Sequence, residues 1–175
     1  EAPPPEPGTL IMAGAWSYQK GSDVLTEAWD HLRGTRLLHV GERGSVPFPS
    51  ADGFEHHDAV NQPELRGYYA RAHVAVLASR QDGLALVQAQ ALACGLPLVC
   101  SDRTGGADLG ELLEVPGLVT VVPHGDPQAL AEALRAELAR ARTVRGMRNG
   151  LGAARARLSW RAYAERYDRA LRERV

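Results

Sequence analysis

Cysteine is scarce in this chain: Cys94 and Cys100 are the only two among 175 residues. Both lie in apolar runs, "LACGLPLVCS", which suits buried thiols and excludes a disulfide framework. No spaced Cys/His cluster offers a metal cage, so no metal site is expected. No apolar run reaches the ~18 residues that span a bilayer, and the opening does not read as a charged-then-apolar leader. A reducing, cytoplasmic location is the expectation. A large excess of one charge is also missing. The formal net charge of −1 gives no reason to expect nucleic acid as a partner, since such binding rests on neutralising many phosphates. Charge is nonetheless uneven, with twelve Arg against four Asp or Glu from Arg135 onward. That excess reads as solvated helix faces, and peripheral membrane contact is not indicated. Also absent is the G-x-G-x-x-G of dinucleotide folds, for which the chain offers only "GAWSYQKG", together with the Walker lysine loop and the G-x-S-x-G elbow. Nicotinamide, flavin, P-loop and serine-hydrolase chemistries are therefore disfavoured, and no cofactor is expected.

What is present is an alternation of buried strands and helices. Apolar content of 45% over this length supports one substantial domain. Strands are predicted at "TLIMAGA" (9–15), "TRLLHVGE" (35–42), "FEHHDAV" (54–60), "HVAVLAS" (73–79), "LPLVCS" (96–101) and "GLVTVVP" (117–123). Between them, "KGSDVLTEAWDHLRG" reads as a helix capped by Ser22 or Asp23 and stopped at Gly34. "NQPELRGYYARA" reads as one capped near Asn61 or Gln62 with Pro63 in its first turn. A short helical turn is expected near "LGELLEV", an amphipathic helix at "PQALAEALRAELARAR", another around 144–158, and a last from Ser159. The last places Trp160, Tyr163, Tyr167 and Leu171 on one face. This order predicts an α/β fold, an open parallel sheet with helices on both faces and ligands outside the carboxyl ends of the strands. The Pro-rich opening at 1–8, "EAPPPEPG", reads as an interdomain connector, so 9–175 is expected to be one domain of a longer protein.

Two strand ends carry the candidate chemistry. After "HVAVLAS" the chain turns at Asp82 and Gly83 and enters a helix whose free N–H groups fall near Gly83, Leu84, Ala85 and Leu86, a setting that attracts phosphate. Gln90, about two turns on, leans back toward that terminus. The alternative is that Asp82 is a plain helix cap and Gln90 a surface residue. Beyond the first strand lies Lys20, the only lysine beside nineteen arginines and a natural point-charge ligand for phosphate. His56 and His57, adjacent on a predicted strand, point to opposite faces and do not share a metal.

These segments resemble the C-terminal, donor-binding Rossmann-like domain of retaining GT-B glycosyltransferases. "GAWSYQKGSDVLTEAW" is similar to the family's G-R-…-K-G-x-x-x-L-x-x-A, and "LLHVGE" to its L-x-x-x-G-x-G. "ASRQDGLALVQAQALACGLPLVCSDRTGG" is similar to its P-S-x-x-E-G-F-G-L-x-x-x-E-A-x-A-x-G-x-P-V…G-G. "SWRAYAERYDRAL" resembles the last helix, which in complete enzymes often crosses back to the other domain. The resemblance implies binding of a nucleoside diphosphate sugar and metal-independent hexosyl transfer, with retention, to an acceptor held by an N-terminal domain. It implies Lys20 on the donor diphosphate, with Gly14 and Ala15 beside it, and the amides of Gly83 to Leu86 cradling phosphate and sugar. Asp82 would face the sugar, Gln90 the ribose, and Ala59 and Val60 the nucleobase.

Three positions depart from the family. Ala15 replaces an arginine, while Asp82 and Gln90 each replace a glutamate. Each loss of a charged hydrogen bond costs roughly 1.5–3 kcal/mol, so donor affinity falls unless Arg80 or Arg103, expected at the same strand ends, compensates. The rival readings are a degenerate domain retained for structure or partner interaction, and a non-transferase GT-B enzyme such as a sugar epimerase.

Overall fold

Residues 8–143 and 151–173 are described in the structure, a computed structural model. Most of the Pro-rich opening and the first half of the helix expected around 144–158 fall outside them. Six strands, β1 (Thr9–Ala13), β2 (Arg36–Val40), β3 (Phe54–His57), β4 (Val74–Leu77), β5 (Leu98–Ser101) and β6 (Val119–Val122), form one sheet in the order β3-β2-β1-β4-β5-β6. Every pairing is parallel. The helices are α1 (Ser22–Asp30), α2 (Gln62–Arg71), α3 (Leu86–Ala93), α4 (Gly106–Leu113), α5 (Pro127–Thr143), α6 (Gly152–Ala156) and α7 (Trp160–Arg172).

Alternation within each strand divides the core in two. Leu10 and Met12 of β1 join Trp29 of α1 and Leu134 of α5 on one face. Ile11 and Ala13, one residue out of phase, join Tyr69 of α2 and Leu92 of α3 on the other. Burial of both faces explains why the strands read as unbroken apolar runs rather than alternating ones. The strand order reverses between β1 and β4, and in open parallel sheets ligands bind beyond the carboxyl ends of the strands at such a switch point.

Several helix starts follow local chemistry. Asn61 accepts from the amide of Glu64 at 3.0 Å and donates to its carboxylate at 2.9 Å, capping α2 with Pro63 in the first turn. Asp126 accepts from the amide of Ala129 at 2.9 Å and starts α5, and Ser159 caps α7 through the amide of Ala162 at 3.2 Å. The first helix departs from expectation. Neither Ser22 nor Asp23 caps α1; the cap is Gly21 in the left-handed region, at φ 69°. Ser22 is buried inside the helix, and Asp23 is drawn away by Arg80. The β1 strand ends at Ala13 rather than Ala15, although Gly14 and Trp16 go on donating to Val40 and Glu42. Helix α4 is a full element beginning at Gly106, longer than the predicted turn. Cys100 is buried and Cys94 half-buried, and no disulfide joins them.

Candidate functional site

At the switch point the loop after β1 and the loop after β4 are sewn together. The amide of Arg80 donates to the carbonyl of Gln19 at 2.9 Å. The two chains pass so closely at Gly21 that a Cβ there would lie 2.0 Å from the carbonyl oxygen of Ala78. Glycine at 21 therefore meets two demands, a positive φ and the missing side chain. This contact delivers Lys20 to the β4 loop, where its ammonium pairs with the carboxylate of Asp82. Both side chains are half-buried, 25% and 17% exposed, and Ser79 Oγ lies 3.5 Å from the same carboxylate oxygen. The two residues singled out from sequence as Lys20 and Asp82, 62 positions apart, thus occupy one place.

A second seam joins the β4 loop to the β5 loop. The amide of Asp82 donates to the carbonyl of Arg103 at 2.9 Å, and the amide of Gly105 to the carbonyl of Gly83 at 3.0 Å. Ser101 Oγ donates to the carbonyl of Ser79. Gln88 reaches under the loop and donates from Nε2 to Thr104 Oγ1 at 2.9 Å. The starts of α3 and α4 consequently lie side by side, with Gly83 and Leu84 against Gly105. Each helix start presents amides without intrahelical partners and a partial positive charge, and neither has a side-chain cap.

The cradle differs in detail from the sequence-based expectation. Helix α3 begins at Leu86 with Ala85 as its cap, and the amide of Ala85 closes onto the carbonyl of Gly83 at 2.9 Å. Ala85 therefore offers no free N–H, and Asp82 does not cap the helix because its carboxylate is engaged by Lys20. Gly83 is exposed, with open space where a Cβ would stand. Leu84 and Leu86 are about half exposed, at 51% and 48%. Gln90 is half-buried on α3.

Arg80, named as a compensating cation, is committed elsewhere. Its guanidinium forks onto Asp23 with two contacts of 2.7 Å and also donates to the carbonyl of Tyr18 at 2.6 Å. The hydrogen bonds from Arg80 hold the Asp23 carboxyl below its ordinary range, and Asp23 in turn raises Arg80. Arg80 thus braces the β1 loop and is not available to a phosphate. Arg103 is more exposed and lies beside His124 and Asp102, 3.3 Å from the former and 4.0 Å from the latter. The backbone and ring of His124 hold the Asp102 carboxyl below its usual range.

Gly14 and Ala15 sit at the mouth of β1, both half-buried. Gly14 adopts φ 128°, and its carbonyl oxygen lies where a Cβ on Gly41 would stand, at 2.0 Å. Ala59 is exposed and Val60 half-buried in the segment that leaves β3. Sequence reasoning missed Gln88, Thr104 and His39, and read Asp23 only as a helix cap. Gln88 had no usable signal: in "LVQAQAL" it stands two residues from Gln90, and only the fold separates the buried amide from the half-buried one.

Comparison with known proteins agrees with this architecture. The profile described as "Glycosyl transferases group 1" matches residues 7–140. A D-inositol 3-phosphate glycosyltransferase of Xylanimonas cellulosilytica is 33% identical over 170 residues, covering 86% of this chain and 39% of that protein. Another so named, from an Arthrobacter species, is 35% identical over 113 residues, covering 55% of this chain and 27% of its own length. Among solved structures, the sucrose-phosphate synthase of Thermosynechococcus elongatus superposes with a TM-score of 0.74 at 27% identity, covering 96% of this chain and 45% of that one. WaaG, a glycosyltransferase of lipopolysaccharide biosynthesis, shares the fold with a TM-score of 0.68 at 20% identity, covering 87% of this chain and 43% of that one. The chain thus spans about two fifths of the length of the first of these relatives. It belongs to the group 1 glycosyltransferases, as a Rossmann-like domain of the GT-B fold.

Proposed function

We propose that this domain binds the nucleoside diphosphate sugar donor for a metal-independent hexosyl transfer with retention, to an acceptor held by an N-terminal domain of the same protein. The observation that carries the reading is the meeting of Lys20, Asp82 and the paired starts of α3 and α4 at one switch point. A diphosphate placed there meets one ammonium and the positive ends of two helices, the electrostatic provision that stabilises a departing diphosphate without a metal. Asp82 stands at the same point, where a carboxylate reaches a sugar hydroxyl once Lys20 has turned to phosphate. The segment at Ala59 and Val60 takes the base, and Gln90 offers the ribose a neutral amide. The exposed stripe of α7 is the surface for the N-terminal domain.

A second reading, a degenerate domain without donor binding, is favoured by one observation: Lys20 is neutralised by Asp82 and Arg80 by Asp23, which leaves little free cation at the phosphate position. Thermal unfolding of the chain with UDP, GDP, ADP and their hexose conjugates decides between the two. A nucleotide at 100 times its dissociation constant stabilises the fold by roughly 2.7 kcal/mol, and Lys20→Ala removes the shift. If no nucleotide moves the transition at millimolar concentration, the degenerate reading stands.

A further inference from the structure

The donor reading leaves one buried polar cluster unused. His39 on β2 is fully buried, and its ring lies against Trp16 and Phe48. His39 Nε2 is 2.8 Å from the carbonyl oxygen of Gly14. Its Nδ1 is 2.9 Å from Nδ1 of His56, its register partner on β3. A carbonyl oxygen only accepts, so His39 carries its proton on Nε2. Its Nδ1 is then an acceptor, and His56 must supply an Nδ1–H. The rings are within 16° of parallel with centroids 4.9 Å apart. Nitrogens much closer than the centroids mean that the rings meet edge to edge, as an N–H···N bond requires. The remaining nitrogen, His56 Nε2, is buried without a hydrogen-bond partner among the described residues, and the nearest anion is the exposed Asp58, with Oδ1 3.4 Å away.

The ends of this chain of atoms give it meaning. At one end Gly14 opens the β1 loop, and its carbonyl is wedged between His39 and Gly41. At the other, Asp58 leads directly into Ala59 and Val60. We propose that His39 and His56 form a proton-fixed tie between the phosphate loop at Gly14 and the base segment at 58–60, in which His39 Nε2–H is donated to the Gly14 carbonyl, His56 Nδ1–H is donated to His39 Nδ1, and the His56 ring stands directly beside Asp58. The functional meaning of the tie rests on the donor-site reading; its existence does not. The groups facing His56 are His39 from β2, Phe48 from the β2–β3 loop and Asp58 beyond β3, with Arg43 standing over Phe48 at 5.0 Å. Glu55 and His57, its alternate neighbours on β3, bond to each other, and Glu55 also to Arg71. Burial holds His39 down at about 4, so above that range His39 stays neutral and keeps its grip on Gly14.

Long-range proton–nitrogen spectra of the labelled 175-residue chain, recorded from pH 5 to 8 without nucleotide, test the tie. His39 is expected as one neutral Nε2–H tautomer throughout. His56 is expected to carry its proton on Nδ1, with a coupling across the Nδ1–H···Nδ1 bond to His39. His56→Phe breaks that bond and shifts the amides of Gly14, Ala59 and Val60, whereas Asp58→Asn, at an exposed position, leaves the His39 tautomer intact. An Nδ1–H tautomer at His39, no coupling between the two rings, or Ala59 and Val60 amides indifferent to His56→Phe would overturn the proposal. In parallel, whichever of UDP, GDP or ADP binds should bind about 3-fold more weakly to His56→Phe than to the unaltered chain. Equal affinity of the two overturns the coupling of the loops. Absence of all nucleotide binding overturns the donor-site reading, while the spectra still decide the tie.

Discussion

Lys20 and Asp82 satisfy each other, so a diphosphate entering the crevice has to take the ammonium from a carboxylate. The pair is partly exposed, and an interaction of that kind is worth no more than about 1 kcal/mol after screening. Asp82→Asn should therefore tighten binding of the free nucleoside diphosphate by about 5-fold, measured by titration calorimetry, while Lys20→Ala eliminates it. In the longer protein, Asp82→Asn should lower transfer in spite of the tighter nucleotide, because the carboxylate proposed to face the sugar is gone. Weaker nucleotide binding by Asp82→Asn would mean that the carboxylate itself holds the ligand. His39 makes a separate prediction. Its value in the fold, about 4, lies below its ordinary 6.5, so between those pH values the unfolded chain binds the extra proton. The stabilisation it provides is complete above pH 6.5 and is lost as pH falls to 4, to a total of about 3 kcal/mol. Urea unfolding at pH 7, 5.5 and 4.5 should show the decline, and His39→Gln should flatten it.

At the scale of elements, the switch-point loops depend on Gly21. An alanine there would meet the carbonyl of Ala78 and occupy the left-handed region, a strain of about 1–2 kcal/mol before any clash. Gly21→Ala is expected to cost about 3 kcal/mol or more in chemical denaturation and to abolish any nucleotide-induced shift in melting, because Lys20 moves with the loop. Gly83→Ala, in open space, should cost little stability. The contrast shows what the sequence could and could not tell. Strands β1, β4 and β5 were legible because burial on both faces leaves an unbroken apolar run, and α2 was legible because Asn61 and Pro63 carry its start chemically. The start of α1 was not, because a glycine cap is a backbone conformation, and Ser22 beside it imitates a side-chain cap. The position of Lys20, Asp82 and Gly83 in loops that leave apolar strands was legible through those strands and the resemblance of their segments. The opposed charges of Lys20 and Asp82, and the loss of Arg80 to Asp23, were not, since both pairings join residues more than fifty positions apart. His39 was hidden for a related reason: inside "LLHV" it reads as a core residue, and its partner appears only when β2 and β3 come into register.

For the molecule as a whole, the unspent feature is α7. The face bearing Trp160, Tyr163, Tyr167 and Leu171 was expected from its spacing, and all four are exposed, Trp160 at 71%. Their rings contact one another rather than the sheet, Trp160 edge-on to Tyr163 and Tyr163 stacked on Tyr167. No residue of α7 is buried, so the helix adds little to the core: deletion of 159–175 should cost less than about 2 kcal/mol and leave one cooperative transition. Apolar surface of this extent, set apart from the core, marks a docking surface, and the occupant proposed above is the N-terminal domain. Among the described tryptophans Trp16 and Trp29 are buried and Trp160 alone is open, so acrylamide quenching reads the stripe directly. Quenching should be strong for Trp160 in this chain and strongly reduced in the longer protein. There, Trp160→Ala should weaken the coupling between the halves by about 2 kcal/mol or more, as expected when an aromatic anchor leaves its pocket. If Trp160 stays equally open to quencher in the longer protein, the stripe does not hold the two halves of the cleft together.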